Sequence, residues 1–165
     1  MGQVRLNFEV DGEQQLSRFF EQIGSQIADF SEVFEKWGQD FRETQEQVFV
    51  SEGAFEGRGR WEDLSPRYAQ WKDLHYPGQP ILTASGRMRG SLTEEGHSEH
   101  IFDYKDDEMM IGTDVFYSIF HQRGTMKMPQ RKVIELTQDQ KLRWVQIARK
   151  TLWDQLKEGI GDATL

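Results

Sequence analysis

Residues 12–50 read GEQQLSRFFEQIGSQIADFSEVFEKWGQDFRETQEQVFV. Within them Leu16, Phe20, Ile23, Ile27, Phe30, Phe34, Trp37 and Phe41 follow one another at alternating spacings of four and three, which places them on one stripe of an α-helix. A continuous helix over 12–50 would be roughly 57 Å long at 1.5 Å per residue, longer than a small globule is wide. Part of the aromatic stripe then needs cover from outside the compact body of the chain. Two coverings are open, intrachain core and a partner helix in an oligomer. Gly24 and Gly38 each cost roughly 1 kcal/mol in a helix interior and permit a bend or the close approach of a neighbour.

Ahead of the helix, Val4, Leu6, Phe8 and Val10 alternate with polar residues, the period of a half-buried strand, and predict an edge strand over 1–11. Asp11 and Gln14 form a pair resembling a capping box. Behind it, residues 51–60 hold three glycines and two arginines and read as a mobile loop. Trp61, Leu64, Tyr68 and Trp71 recur at spacings of 3, 4 and 3, predicting a short amphipathic helix with Pro66 in its first turn. Residues 76–80 read as a turn, and 81–91 as a helical turn leading into a strand. Ile101, Phe102 and Tyr104, then Met109 to Ile111, flank a charged Lys105-Asp106-Asp107-Glu108 turn and predict a hairpin. Residues 115–120 fit strand or helix equally. Residues 133–136 read as a final strand. Thr137 with Gln140 reads as a capping box opening a helix over 137–158, with Leu142, Val145, Leu152 and Leu156 as its apolar side and a tail over 159–165.

A length of 165 residues suggests a single domain over 1–165, with an α+β core at 61–136. Eleven Phe and five Trp in a chain of 36% hydrophobic residues imply a folded protein with a lean core. No stretch approaches the ~20 apolar residues of a membrane span, so a soluble protein of the cytoplasm, with no membrane partner, is expected. The lack of cysteine excludes disulfides, thiol nucleophiles and thiolate metal sites. Residues 1–56 hold 4 Lys/Arg against 12 Asp/Glu, while 57–165 hold 16 of each, so the whole net charge of −8 sits in the first third. That segment is unsuited to clamping nucleic acid.

The search for chemistry returns little. His97, His100 and Asp103 would share a face only on a helix, and their context is a loop entering a strand, where residues three apart point to opposite faces. Asp106, Asp107 and Glu108 lack the spacing and glycine of a calcium loop. His121 follows Phe116, Tyr117, Ile119 and Phe120 and reads as an edge-of-core histidine. No nucleophile elbow, phosphate-loop or zinc-protease pattern is present. Neither an enzyme nor a cofactor or metal is expected. Cations do cluster in glycine-containing loops, at Arg58-Gly59-Arg60, at Arg87 and Arg89, and from Arg123 to Lys132. They suit either phosphate contacts, in a nucleic-acid-binding module, or interfacial arginines paired with the acidic first third of a neighbouring subunit. The second reading is preferred because that acidic surface lies in the same chain.

The middle of the chain resembles a known family. Trp61-Glu62-Asp63-Leu64-Ser65-Pro66 with Tyr68 and Lys72, Ile81 through Ser91, Ile111-Gly112-Thr113, Tyr117, His121-Gln122-Arg123-Gly124 and Met128-Pro129-Gln130-Arg131 together look like the virion morphogenesis (tail completion) proteins of tailed bacteriophages. The resemblance covers about residues 57–136. It departs at Ser85 and Met88, where the family has threonine and leucine, at Ser118, and at Gln130, where alanine is common. The resemblance implies an α+β fold, a long helix packed on a small antiparallel sheet. It also implies a structural role at the neck of the virion, where related proteins form rings around the DNA channel between capsid and tail. Expected partners are sibling copies in a ring, written here as a hexamer of formal charge about −48. Further partners are a portal-side adaptor or head completion protein and a tail terminator or tail tube protein. Double-stranded DNA would pass without specific binding along an anionic wall. The matched positions make Trp61, Leu64 and Tyr68 core anchors and give Gly86 and Gly112 roles in backbone geometry. They place Tyr117 in the motif and have Gly124, Pro129 and Arg131 shape a loop at a subunit or neck-partner interface, to which the charge reading adds Arg58, Arg60, Arg87 and Arg123, with His121 beside them.

Overall fold

The computed structural model describes residues 30–105 and 108–162. The expected strand over 1–11, residues 12–29 of the expected helix, the Asp106-Asp107 turn and residues 163–165 lie outside the described residues. The first described helix, α1 (Ser31–Val50), begins after Phe30, which has φ −93° and ψ 2° and supplies no side-chain cap. An unbroken helix over 12–50 is therefore not what is seen. At twenty residues α1 is about 30 Å long, and the chain covers it.

The cover is shared between the helix Arg87–Thr93, whose Arg89 pairs with Glu46, and the C-terminal helix, α5 (Gln138–Asp162). Asp40 pairs with Arg143, Lys36 reaches Thr151 and Glu32 meets Gln155, so α1 and α5 run antiparallel. Trp37 stacks on Trp144 with ring centres 5.0 Å apart and planes at 9°, and donates its indole hydrogen to the Trp144 carbonyl at 2.8 Å. Val33 packs with Ala148 and Leu152. The need for outside cover is thus corrected for Phe34, Trp37 and Phe41, which are buried or half-buried within the chain. The buried face of α5 differs from the expected one: Gln140, Trp144, Ala148, Thr151 and Leu152 are buried, whereas Leu142 is 53% exposed. The flat stack of Trp144 on Trp37 rotates Leu142 outward. Thr137 caps the helix as expected by accepting the Gln140 backbone N–H at 3.1 Å.

The middle of the chain carries α2 (Pro66–His75), α3 (Arg87–Thr93), the antiparallel hairpin β1 (His100–Lys105) and β2 (Glu108–Thr113), and α4 (Ser118–Arg123). The α+β class holds, with helices around a two-stranded sheet. The hairpin register runs from His100 opposite Thr113 to Lys105 opposite Glu108. It packs on α1 where Gly38 leaves room, since a Cβ there would lie 2.7 Å from the Phe102 ring. Residues 133–136 form no strand. Val133 and Ile134 are both buried, which defeats alternation, and their backbone N–H groups donate to the Gln122 side-chain oxygen at 2.9 and 3.0 Å. One amide side chain takes the place of a neighbouring strand.

The expected helix from Trp61 starts instead at Pro66, which stands at its first position. Trp61 belongs to the end of α1. Glu52, with φ 50°, and Gly53, with φ 93°, wind the chain back so that their N–H groups bond the Phe49 and Val48 carbonyls. Trp61 closes over Gly53, meets Phe49 edge-on at 5.5 Å and donates to the Lys132 carbonyl at 2.9 Å. The left-handed Glu52 costs about 1–2 kcal/mol. Its carboxylate offsets this by accepting the Ile81 N–H at 2.9 Å, which, with Arg60 in support, holds it below the usual carboxylate range. The loop 51–60 is accordingly tied down rather than mobile.

Candidate functional site: a cleft between α2 and the segment 117–131

The segments that carry the family resemblance are separated in sequence, and all but Ile111-Gly112-Thr113 converge on one cleft of about 860 Å³. Glu62, Asp63, Leu64, Tyr68 and Lys72 form one wall, Leu82 through Met88 the floor, and Tyr117, His121, Lys127 through Pro129 and Arg131 the other wall. Each is placed by local structure. Pro66 fixes the start of α2 and so the direction of Tyr68. Gly86, at φ 81°, turns the chain into α3 and sets Arg87 and Met88 at the cleft. Gly124, at φ 71°, ends α4, and a Cβ there would lie 2.9 Å from the Gln130 nitrogen, so only glycine lets the 124–130 loop close.

The expected site residues fall into three groups. Leu64, Tyr68, Gly86, Arg87, Tyr117, His121, Pro129 and Arg131 meet at the cleft. Trp61 is a core residue behind it, and Gly112 sits in the hairpin ladder opposite Ile101. Arg58, Arg60, Arg123 and Gly124 do not line it. Tyr68, expected as a core anchor, is 44% exposed because the only buried residue of α2 is Lys72. Lys72 fastens the helix by donating to the carbonyls of Gln79 and, at 2.7 Å, Pro80, and its burial lowers its proton affinity.

Most arginines expected at an interface have partners within the chain, Arg131 buried, Arg60 and Arg87 still exposed. Arg131 is buried, donating to the Glu62 and Asp63 carbonyls at 2.8 and 2.9 Å. Arg58 bonds the Glu135 carbonyl, and burial lowers its pKa. Arg60 spans Glu52 and Asp63, and Arg87 makes a two-pronged pair with Glu99 at 2.6 and 2.5 Å. These cations fasten loops, the work their planar forks do best. Arg123 and Lys127 remain exposed with no carboxylate partner among the described residues. The phosphate-contact reading loses most of its charges in the same way.

Sequence reasoning counted Lys127 only within the Arg123-to-Lys132 cluster and gave Thr83 no role of its own. Thr83 is 3% exposed and its hydroxyl has no hydrogen-bond partner among the described residues. It follows Leu82, whose φ of 62° is strained for a leucine. Nothing in the stretch Leu82-Thr83-Ala84 signals either feature. His121 has an unpartnered, buried Nδ1, and burial, then the Arg131 charge, pushes its pKa down. It meets Tyr117 edge-on at 6.2 Å. Beneath the cleft's largely apolar surface, the Thr83 hydroxyl and His121 Nδ1 are thus buried without partners among the described residues. Of the earlier metal candidates, the His97 Nδ1 accepts the Glu99 N–H and the His100 Nδ1 bonds the Ser91 carbonyl. Among the described residues no cluster of three or more such ligands occurs, and no helix is long and apolar enough to cross a membrane. A second, polar groove between α1 and α3 is bordered by Arg42, Arg89 and Arg143, each already paired with a carboxylate.

The chain belongs to the phage virion morphogenesis family, which it matches over residues 11–153. It therefore serves in building a phage particle. Mu-like prophage FluMu G protein 1 of Haemophilus influenzae is 31% identical to it over 117 residues, 70% of this chain and 74% of that protein. No solved structure matches it.

Proposed function

We propose that this chain is a structural subunit of the virion neck, a tail completion or connector protein that assembles as a ring, written as a hexamer, around the DNA channel joining capsid to tail. The observation that carries the reading is the convergence of the family's motif segments on a cleft with apolar walls and unpartnered polar atoms, a surface suited to holding polypeptide. In this role it works in the virion after assembly in the host cytoplasm. Its neighbours are sibling copies, a portal-side adaptor or head completion protein, and a tail terminator or tail tube protein. The outer face of α1 supports an anionic channel wall: Glu35 and Glu43 are exposed with no cationic partner among the described residues. DNA would slide past such a wall without specific binding. The test is cryo-electron microscopy of the intact neck. A ring of this subunit between capsid and tail is expected, and particles whose neck lacks it would refute the proposal.

A further inference from the structure

We infer that the turn Thr125–Met128 of one copy docks in the polar groove between α1 and α3 of a neighbouring copy, with Lys127 meeting the groove's unpaired carboxylates and Met126 entering beside it. The inference rests on the ring reading above and names one contact that would build the ring.

The turn is held ready to project. Thr125 and Met128 exchange backbone hydrogen bonds at 2.8 and 3.3 Å, and the Thr125 hydroxyl oxygen accepts the N–H groups of Lys127 and Met128 at 3.2 and 3.1 Å. At its base the Gln130 side chain donates to the Gln122 carbonyl at 2.9 Å, and the Arg131 N–H donates to the His121 carbonyl at 2.8 Å. Met126 at the tip is fully exposed. Lys127 beside it is exposed with no carboxylate partner among the described residues, and the stretch 115–134 around it contains no Asp or Glu. A turn whose backbone is already fixed loses little freedom on binding, and methionine adapts to an irregular surface.

Charge picks out the receiving surface. Of three concavities among the described residues, the cleft that holds Lys127 itself is lined by Lys72, Arg87, Lys127 and Arg131 against Glu62 and Asp63, and the hollow beside α2 carries Lys72 against Asp73. The groove, of about 1200 Å³, is the one with a surplus of carboxylates, five against three arginines. Arg143 takes Asp40 and Glu56, Arg89 takes Glu46, and Arg42 leans on Glu95 outside the lining. Glu43 on the α1 bank and Glu94 on the α3 bank are left exposed with no cationic partner among the described residues. An ammonium carried in between these banks meets unpaired carboxylates, whereas a nucleic-acid phosphate meets net negative charge. Phe55 and Ala84 give the methionine apolar contact, and Gly86 leaves it room, since a Cβ there would meet nothing within 4 Å.

Position makes the contact intermolecular. Residues 83–86 line both the cleft and the groove, so the turn, on the cleft side, and the groove stand on opposite sides of that segment. No residue between 95 and 142 lines the groove, and the bonds at the base of the turn keep it from swinging round to its own copy's groove. Unlike surfaces on opposite sides of one subunit form the head-to-tail contact from which a ring closes.

The experiment uses the full-length chain in assembling particles and exploits its lack of cysteine. One tagged copy carries Met126→Cys, and a second, differently tagged copy carries Ser85→Cys at an exposed position lining the groove. A short bismaleimide is expected to give a product joining the two tags. Per incorporated subunit, its yield should fall about fivefold when the first copy also carries Lys127→Glu, and recover when the second copy then carries Glu43→Lys and Glu94→Lys. Exclusion of the Lys127→Glu copy from particles supports the inference if that partner reverses it and overturns it if not. Particles that contain both cysteine copies but give no such product, a yield that ignores the charge changes, or a link from position 126 to another virion protein instead would overturn the inference while leaving the neck reading standing. Particles that lack the subunit would overturn the neck reading. The same crosslinking of the concentrated purified chain then decides the contact by itself, a charge-dependent product between copies supporting it and its absence overturning it.

Discussion

Replacing Trp144 with alanine tests the helix pair that covers the aromatic stripe. Trp144 is almost fully buried, lies flat on Trp37, and donates its indole hydrogen to Asp40 Oδ2 at 2.8 Å. Truncating a buried tryptophan costs about 3–5 kcal/mol, through lost transfer energy and the cavity left behind. Arg143 Nε stays bonded to Asp40 Oδ1 at 2.6 Å, so the carboxylate is not left as an unpaired charge. In a chain of this size each kcal/mol moves Tm by about 2–4 °C, so a loss of about 4 kcal/mol lowers Tm by about 8–16 °C. Trp144→Phe keeps a ring for Trp37 and gives up the hydrogen bond to a charged acceptor, a loss of about 1.5–3 kcal/mol. Leu142→Ala, exposed on the same helix, stays within about 0.5 kcal/mol. Calorimetric melts of the three variants and the parent at two well-separated protein concentrations make the comparison. A Trp144→Ala melt within about 2 °C of the parent, or a parent Tm that collapses on dilution, would show that α1 is covered by other molecules and would refute the reasoning.

Gly53→Ala places a methyl group 2.7 Å from the Trp61 ring at a φ of 93°, so it should cost at least 2 kcal/mol by urea titration, against about 1 kcal/mol for Gly57→Ala, which meets no neighbour. Lys72→Met leaves the Gln79 and Pro80 carbonyls without their ammonium donor. Hydrogen exchange in α2 should then quicken by at least tenfold while α5 is unchanged. His100 and His121 are both held below the usual imidazole range, mainly by burial. Their unfolded forms, near 6.5, take up protons before the folded forms do, so stability is whole above about pH 6.5 and declines below it. Glu52, held low in the fold, adds a loss in the same direction below about pH 4.5. Melts across this range should show the first decline flattened in a His100→Gln, His121→Gln double variant.

Where a structural rule acts over neighbouring residues, the chain could be read directly. The hairpin around 105–108 follows from two apolar runs flanking a charged turn, and the cap at Thr137 from one hydroxyl and one N–H three residues on. The described part of the aromatic stripe follows from the helical period. The order and spacing of the motif segments carried the family. Readings that depended on where a side chain finds its partner went astray. Tyr68 and Trp71 have the spacing of a buried face, yet Lys72 is the residue α2 buries, because the carbonyls that hold it come from the turn after the helix. Val133 and Ile134 have the composition of a strand, yet the Gln122 side chain takes up their hydrogen bonds.

The sequence by itself therefore determined the α+β class, the hairpin, the start of the C-terminal helix, the family, and the separation of acidic from basic segments, since period, capping and composition are properties of adjacent residues. Only the tertiary structure decided that α5, the hairpin and the central core together cover the described half of the stripe, that Arg58, Arg60, Arg87 and Arg131 fasten the chain's own loops, and that five motif segments meet at one cleft. The physical reason is that burial, desolvation and ion pairing depend on distances between groups that can lie more than a hundred residues apart, as with Asp40 and Arg143, and those distances are fixed only when the helices have packed.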